Sequence, residues 1–163
     1  MNVIKRRLYI YSAMCCLTLL ISLLRTKHIV PIILLIFLEL LIKEIKQYRM
    51  VKLILDNVIL FIQSASVEEN TIDCGYNGLP VDGLGIYISC FGILMDSKII
   101  KFNIDDISLK SVKINQRYLY IIFGNDNKIS QIRIIYGDMN KEEIQNFIER
   151  FNFETGITPV ISN

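Results

Sequence analysis

The stretch GIYISCFGILMDSKIIKF, Gly85 to Phe102, decides the fold. Its isoleucines and aromatics suit a pleated, half-buried backbone, and Asp96-Ser97 is a pair that turns readily. The sequence therefore predicts one strand over Ile86–Met95, a tight turn, and a second strand over Lys98–Phe102. Both faces of the first predicted strand are apolar: Tyr87, Phe91, Ile93 and Met95 on one, Ile86, Ile88, Cys90 and Leu94 on the other. A strand with one face in water would alternate more cleanly, so a second cover is expected over it. The preceding helix, a neighbouring subunit or a partner could supply that cover.

Outward from this hairpin the same texture continues. Thr71–Cys74, the Asp106, Ile107, Leu109, Val112 series, Tyr118–Phe123 and Ile129–Tyr136 are further predicted strands, separated by turn formers at antiparallel spacing. GYNGLPVDGLG, residues 75–85, reads as a loop. Its Gly83-Leu84-Gly85 lacks the third glycine and the following helix of a dinucleotide-binding fingerprint. GNDNK, residues 124–128, reads as a hairpin turn, because a calcium loop would need further spaced oxygen ligands and a terminal Glu. Asn140 with Glu143 forms a capping-box pair, Ile144, Phe147, Ile148 and Phe151 recur on one helical face, and Gly156 supplies a stop. These signals predict a helix over 140–153 whose apolar face packs on the sheet.

The segment GIYISCFGILMDSKIIKFNIDDISL, with its Gly-Ile opening, hairpin, lysine-bearing strand and Asp-Asp-Ile, resembles bacterial pleckstrin-homology-like domains of small membrane proteins. The resemblance covers Thr71 to Phe153 by pattern. It departs at Phe102-Asn103, where relatives often carry Trp; this chain has no Trp. It implies an antiparallel β-roll or barrel closed by one C-terminal helix, carried on one or two transmembrane helices, and it implies no catalytic residues.

The N-terminal half has a different character. Hydrophobic residues make up 52% of the chain and its mean hydropathy is +0.42, with the excess concentrated before residue 63. Leu8–Leu24 is a run of 17 residues without a charge, preceded by Lys5, Arg6 and Arg7. Ile29–Ile42 is a second, apolar run of 14 that contains one acidic residue, Glu39, with Pro31 in its first turn. The pair reads as a transmembrane helical hairpin over 1–44. Cations flank both outer ends, Lys5, Arg6 and Arg7 before and Lys43, Lys46, Arg49 and Lys52 after, against Arg25 and Lys27 in the connecting tip. That bias predicts a two-span protein of the cytoplasmic membrane, both termini cytoplasmic. No small-x-small cleavage site follows Leu24, so a signal peptide is not the preferred reading. Glu39 stands one turn before Lys43 and is expected to pair with it near a helix end.

Residues 45–66 are expected to form a juxtamembrane helix and linker, with Tyr48, Val51, Leu55, Val58 and Ile62 spaced 3, 4, 3, 4 along one stripe. That stripe suits packing on the chain's own sheet domain, and also a homodimer through residues 48–62. The sheet domain is then placed over 67–158.

Chemistry is sparse. A net charge of +2 and the lack of long like-charge runs do not suggest nucleic acid. Cys15, Cys16, Cys74 and Cys90 form no CxxC pair, and the one histidine, His28, lies in the predicted external tip. Neither a metal site, nor a cofactor site, nor a catalytic constellation is expected. Lys98 and Lys101, and Lys110 and Lys113, are three apart, so each pair straddles a strand and makes no continuous basic patch. The expected function is a membrane-tethered, non-catalytic binding or scaffold module presenting the sheet domain to a protein partner. A small integral-membrane accessory or immunity-type protein, and anionic-lipid sensing by the sheet domain, are the alternatives.

Overall fold

A computed structural model describes residues 2–24, 29–68, 81–96, 98–103, 106–126 and 128–162. Two helices, α1 (Asn2–Leu24) and α2 (Ile29–Asp56), precede the strands β1 (Val58–Glu68), β2 (Val81–Ser89), β3 (Gly92–Met95) and β4 (Lys98–Lys101). They are followed by β5 (Ser108–Ile114), β6 (Tyr118–Gly124), β7 (Ile129–Ile135), α3 (Lys141–Thr155) and β8 (Val160–Ile161). The chain divides into two compact units, Met1–Leu53 and Ile54–Asn163. The strand expected at Thr71–Cys74, most of the 75–85 loop and the Arg25–His28 tip lie outside the described residues. Val81–Gly85, read as the end of that loop, opens β2 instead.

The Gly85–Phe102 stretch holds three strands where two were expected. The chain reverses at Cys90-Phe91, so Ile86–Met95 is a hairpin: Ile86 pairs with Met95, Tyr87 with Leu94, Ile88 with Ile93 and Ser89 with Gly92. Ser89 clamps the reversal, its hydroxyl accepting from Phe91 N at 3.1 Å and donating to Gly92 O at 3.2 Å. Gly92 sits at φ 154, and a Cβ there would meet Ile100 O at 2.1 Å, so the backbone of β4 passes where a side chain would stand. Reversal changes the parity of everything after it. Ile86, Ile88, Ile93 and Met95, which a single strand divides between two faces, all point to one face and are fully buried. The other face carries Phe61, Tyr87, Leu94 and Ile99 in one cross-strand row, with Phe61 and Tyr87 rings stacked at 4.5 Å.

One sheet runs β4-β3-β2-β1-β7-β6-β5-β8. Its two meanders, β1–β4 and β5–β7, are joined through β1, which pairs with β2 along most of its length and with β7 through Ser66–Glu68. The sheet curls on itself. Phe102, just beyond β4, lies 5.5 Å ring to ring from Phe123 of β6, although their strands are far apart in the sheet order. A single apolar core fills the curl, drawing Ile62, Ile86, Ile93, Phe102, Val112, Leu119, Ile132 and others from seven strands and their flanks. All pairings are antiparallel except β5 with β8, so the expected all-antiparallel roll acquires one parallel pair.

The closing helix starts and stops where its signals lie. Asn140 Oδ1 accepts from Glu143 N at 2.8 Å, Glu143 Oε2 accepts from Asn140 N at 2.9 Å, and Gly156 ends the helix at φ 73. Ile144, Phe147 and Phe151 bury its inner face in the core.

The N-terminal expectations need correction. Among the described residues no helix is long and apolar enough to cross a membrane, which overturns the transmembrane hairpin, the integral placement in a bilayer and the two-span cytoplasmic-membrane location. The apolar runs are short for the task, and the second carries Glu39 within it. Fourteen residues at the helical rise cover about 21 Å of a hydrocarbon core about 30 Å thick, and α2 continues directly into Lys43, Glu44, Lys46, Arg49 and Lys52. α1 likewise begins on Lys5, Arg6 and Arg7. Both helices still expose large apolar side chains, among them Leu17, Leu20, Ile32, Leu35 and Ile36. The helical stripe expected over 48–62 is broken as well. α2 ends at Asp56, and Val58 and Ile62 stand in β1, paired with Ser89 and Ile86. The stripe therefore does not lie along one helix.

Candidate functional site

The C-terminal tail lies on the edge of β5 with a depression on either side. After α3 the chain passes half-buried Ile157 and buried Pro159, then lays β8 parallel to β5, with Val160 beside Lys113 and Ile161 beside Ile114. Ser162 fastens the end: its N–H donates to Ile114 O at 2.9 Å, its hydroxyl lies 3.0 Å from the Tyr118 hydroxyl, and its carbonyl accepts from Asn115 Nδ2 at 3.2 Å.

On one side of the tail is a cleft of about 500 Å³ lined by Asn115, Gln116, Lys141, Ile144, Gln145, Ile161 and Ser162. Its far wall is the first turn and a half of α3; its near wall is the β5–β6 turn. That turn is held from several directions. Asn115 N donates to Tyr118 O at 3.0 Å, Arg117 N to Asn115 Oδ1 at 2.9 Å, and Tyr136 N and Met139 N donate to Arg117 O and Gln116 O, each at 2.9 Å. The Tyr136 hydroxyl donates to Asn115 O at 2.8 Å from a buried position, and burial pushes its phenol well above the ordinary range. Arg117 closes the turn's outer side on Asp138 at 3.2 Å.

On the other side, the outer face of the sheet presents a shallow depression of about 400 Å³ lined by Lys113, Tyr118, Tyr120, Arg133 and Ser162. Strand register explains the grouping. Lys113, Tyr120 and Arg133 are direct cross-strand partners on β5, β6 and β7, so they form one row across the face. Tyr118, two residues along β6 on the same face, receives the Arg133 guanidinium 4.7 Å above its ring centroid. The Tyr120 hydroxyl hydrogen-bonds Gln131 Oε1. Both tyrosines are held by partners at the rim of the depression.

The remaining residues singled out in the sequence lie elsewhere. Glu39 and Lys43 form the expected ion pair, 2.8 Å apart and exposed on α2. Cys15 and Cys16 sit on α1; Cys90 sits in the β2–β3 reversal; Cys74 and His28 are outside the described residues. Among the described residues no group of His, Cys, Asp or Glu gathers closely enough to hold a metal. The four lysines separate: Lys98 and Lys101 end β4, Lys110 occupies the β5 bulge 3.7 Å from Asp126, and only Lys113 joins the tyrosines. The tyrosine row was within reach of the sequence, since Tyr118 and Tyr120 alternate with buried Leu119 and Ile121. Its cationic neighbours were not, because their placement depends on register across three strands. No family model, curated protein or solved structure matches this chain.

Proposed function

We propose that this chain is a non-catalytic binding module of the pleckstrin-homology-like kind that receives a protein partner on the outer face of β5, β6 and β7. The observation that carries the reading is the cluster of Lys113, Tyr118, Tyr120 and Arg133 around an open depression. Tyr and Arg are the residues most often responsible for binding energy at protein interfaces, because each offers a large, rigid contact area with a polar tip. Support for the fold kinship comes from the order of elements: a four-strand and a three-strand meander sharing β1, then a closing helix. A protein suits this face better than an anionic lipid surface. Two of the neighbouring cations are already matched, Lys110 with Asp126 and Arg117 with Asp138, so the face is aromatic before it is basic.

A photo-crosslinking residue placed at position 120 in the full chain, in its native cells, tests the reading. We expect a discrete adduct with one protein, lost when Lys113→Glu is added and absent when the crosslinker stands at exposed position 149 on α3. Equal labelling from 120 and 149 would refute the face as the binding surface.

A further inference from the structure

We infer that β8 is a displaceable strand: the β5 edge is a peptide groove that the chain's own tail occupies, and an extended partner segment bearing an acidic residue takes its place. The inference rests on the binding-module reading and assigns the form in which the partner arrives.

The tail's hold is small and local. Two residue pairs join β8 to β5, Ser162 adds its hydrogen bonds to Ile114, Asn115 and Tyr118, and Val160 and Ile161 remain 59% and 58% exposed. Upstream the chain is anchored separately, by buried Pro159 and by Ile157 against the core, so residues 160–162 can leave without unseating α3. A strand edge offers unpaired N–H and C=O groups to any extended chain, which is why edges recruit peptides when uncovered.

The tail also uses only part of what surrounds it. The flanking spaces of about 500 and 400 Å³ stay open with Val160 and Ile161 in position, so larger side chains fit on both sides. Alternation along the strand sends residue 161 to the cleft beside Ile144 and residue 160 to the face of Lys113, Tyr120 and Arg133. Lys113 and Lys141 border the two spaces, yet Val160, Ile161 and Ser162 bring no acidic side chain to them. A segment with a carboxylate at the position of Val160 matches Lys113; an apolar residue follows it into the cleft, and a hydroxyl follows that onto Tyr118.

The probes are fluorescein-labelled peptides of sequence ITPVISN (residues 157–163) and its Val160→Glu analogue, titrated by anisotropy against the full chain and against the chain ending at Pro159. The shortened chain should bind both peptides. The analogue should bind about fivefold tighter at low salt, the scale of one surface ion pair, and Lys113→Ala should erase that difference. The full chain should bind about tenfold more weakly than the shortened one, since a closed tail lowers the competent fraction. If the shortened chain fails to fold, a full-length Ser162→Pro chain, which loses the N–H given to Ile114, replaces it. The proposal is overturned if the opened chain binds neither peptide, or if opened and full chains bind alike. Peptide binding that fails while the position-120 adduct persists sinks the displaceable strand and leaves the partner face standing; the converse sinks the face.

Discussion

Gly92 shows how much one backbone position can decide. At φ 154 with Ile100 O where its Cβ would stand, it lets β4 close against the β2–β3 reversal. Gly92→Ala should destabilise the fold by about 3 kcal/mol or more, the scale of a strained backbone combined with a core clash. Gly137→Ala, where a Cβ would meet nothing within 4 Å, should change stability by less than about 0.5 kcal/mol. Urea midpoints compared at constant slope check both, and a tolerant Gly92 would discredit the close-approach explanation. Two residues away, burial first and the Glu154 carboxylate second push the Cys90 thiol up. Its thiolate is therefore scarce at pH values where a free thiol reacts, and alkylation should reach half its maximal rate above the ordinary value of about 8.5. The sign for stability follows: the folded state holds this proton more tightly than the unfolded chain, so the contribution is complete below the free-thiol range and is lost as pH rises through the raised value. In a chain with Cys15, Cys16 and Cys74 changed to Ala, Glu154→Gln should move the alkylation profile toward lower pH, though not fully back, because burial is the larger cause. A profile unmoved by Glu154→Gln would leave burial as the sole cause.

At the scale of elements, α3 and α2 make a contrast. The start of α3 is secured by reciprocal hydrogen bonds between Asn140 and Glu143, entirely local to the sequence. Asn140→Ala should cost about 1 kcal/mol and Asn140→Ser should restore most of it, read as thermal midpoints; equal losses from both variants would mean the cap bond is not what Asn140 contributes. The end of α2 is not local. The stripe Tyr48, Val51, Leu55, Val58, Ile62 keeps its helical spacing past Asp56, yet Val58 and Ile62 are taken into β1 by pairing with Ser89 and Ile86. Two hydrogen-bonding partners compete for the same β-branched residues, and the neighbouring strand outweighs one further helical turn. The same competition divides Ile86–Met95, where a buried Ser89 and Gly92 turn a ten-residue run back on itself.

For the whole molecule, closure of the sheet depends on few contacts. Phe102 is fully buried and reaches Phe123 across the curl, so Phe102→Ala should cost about 3–5 kcal/mol. An unfolding midpoint close to that of the unaltered chain would place closure elsewhere. The first unit carries the opposite property, an apolar exterior on α1 and α2 in which Leu35 is 65% exposed. Leu35→Glu should leave the unfolding free energy within about 0.5 kcal/mol, as exposed sites usually do, and should reduce the fluorescence of an apolar dye bound to the full chain. A large loss of stability would mean that Leu35 is packed.

Local chemistry alone determined the α3 helix with both its caps, the strands expected over Tyr118–Phe123 and Ile129–Tyr136 to within one residue of their observed ends, and the Glu39–Lys43 pair. The helix, its caps and the ion pair are decided by contacts a few residues apart, and the strands show an alternation of buried and less buried residues, both of which spacing along the chain records directly. Tertiary structure alone decided three things: that Ile86–Met95 folds back so its two apolar faces become one, that Val58–Glu68 leaves the helix for the sheet, and that Lys113, Tyr120 and Arg133 meet in one row beside a tail lying on β5. A one-residue change of register moves every side chain of a strand to the other face, and register is set between strands that lie far apart in sequence.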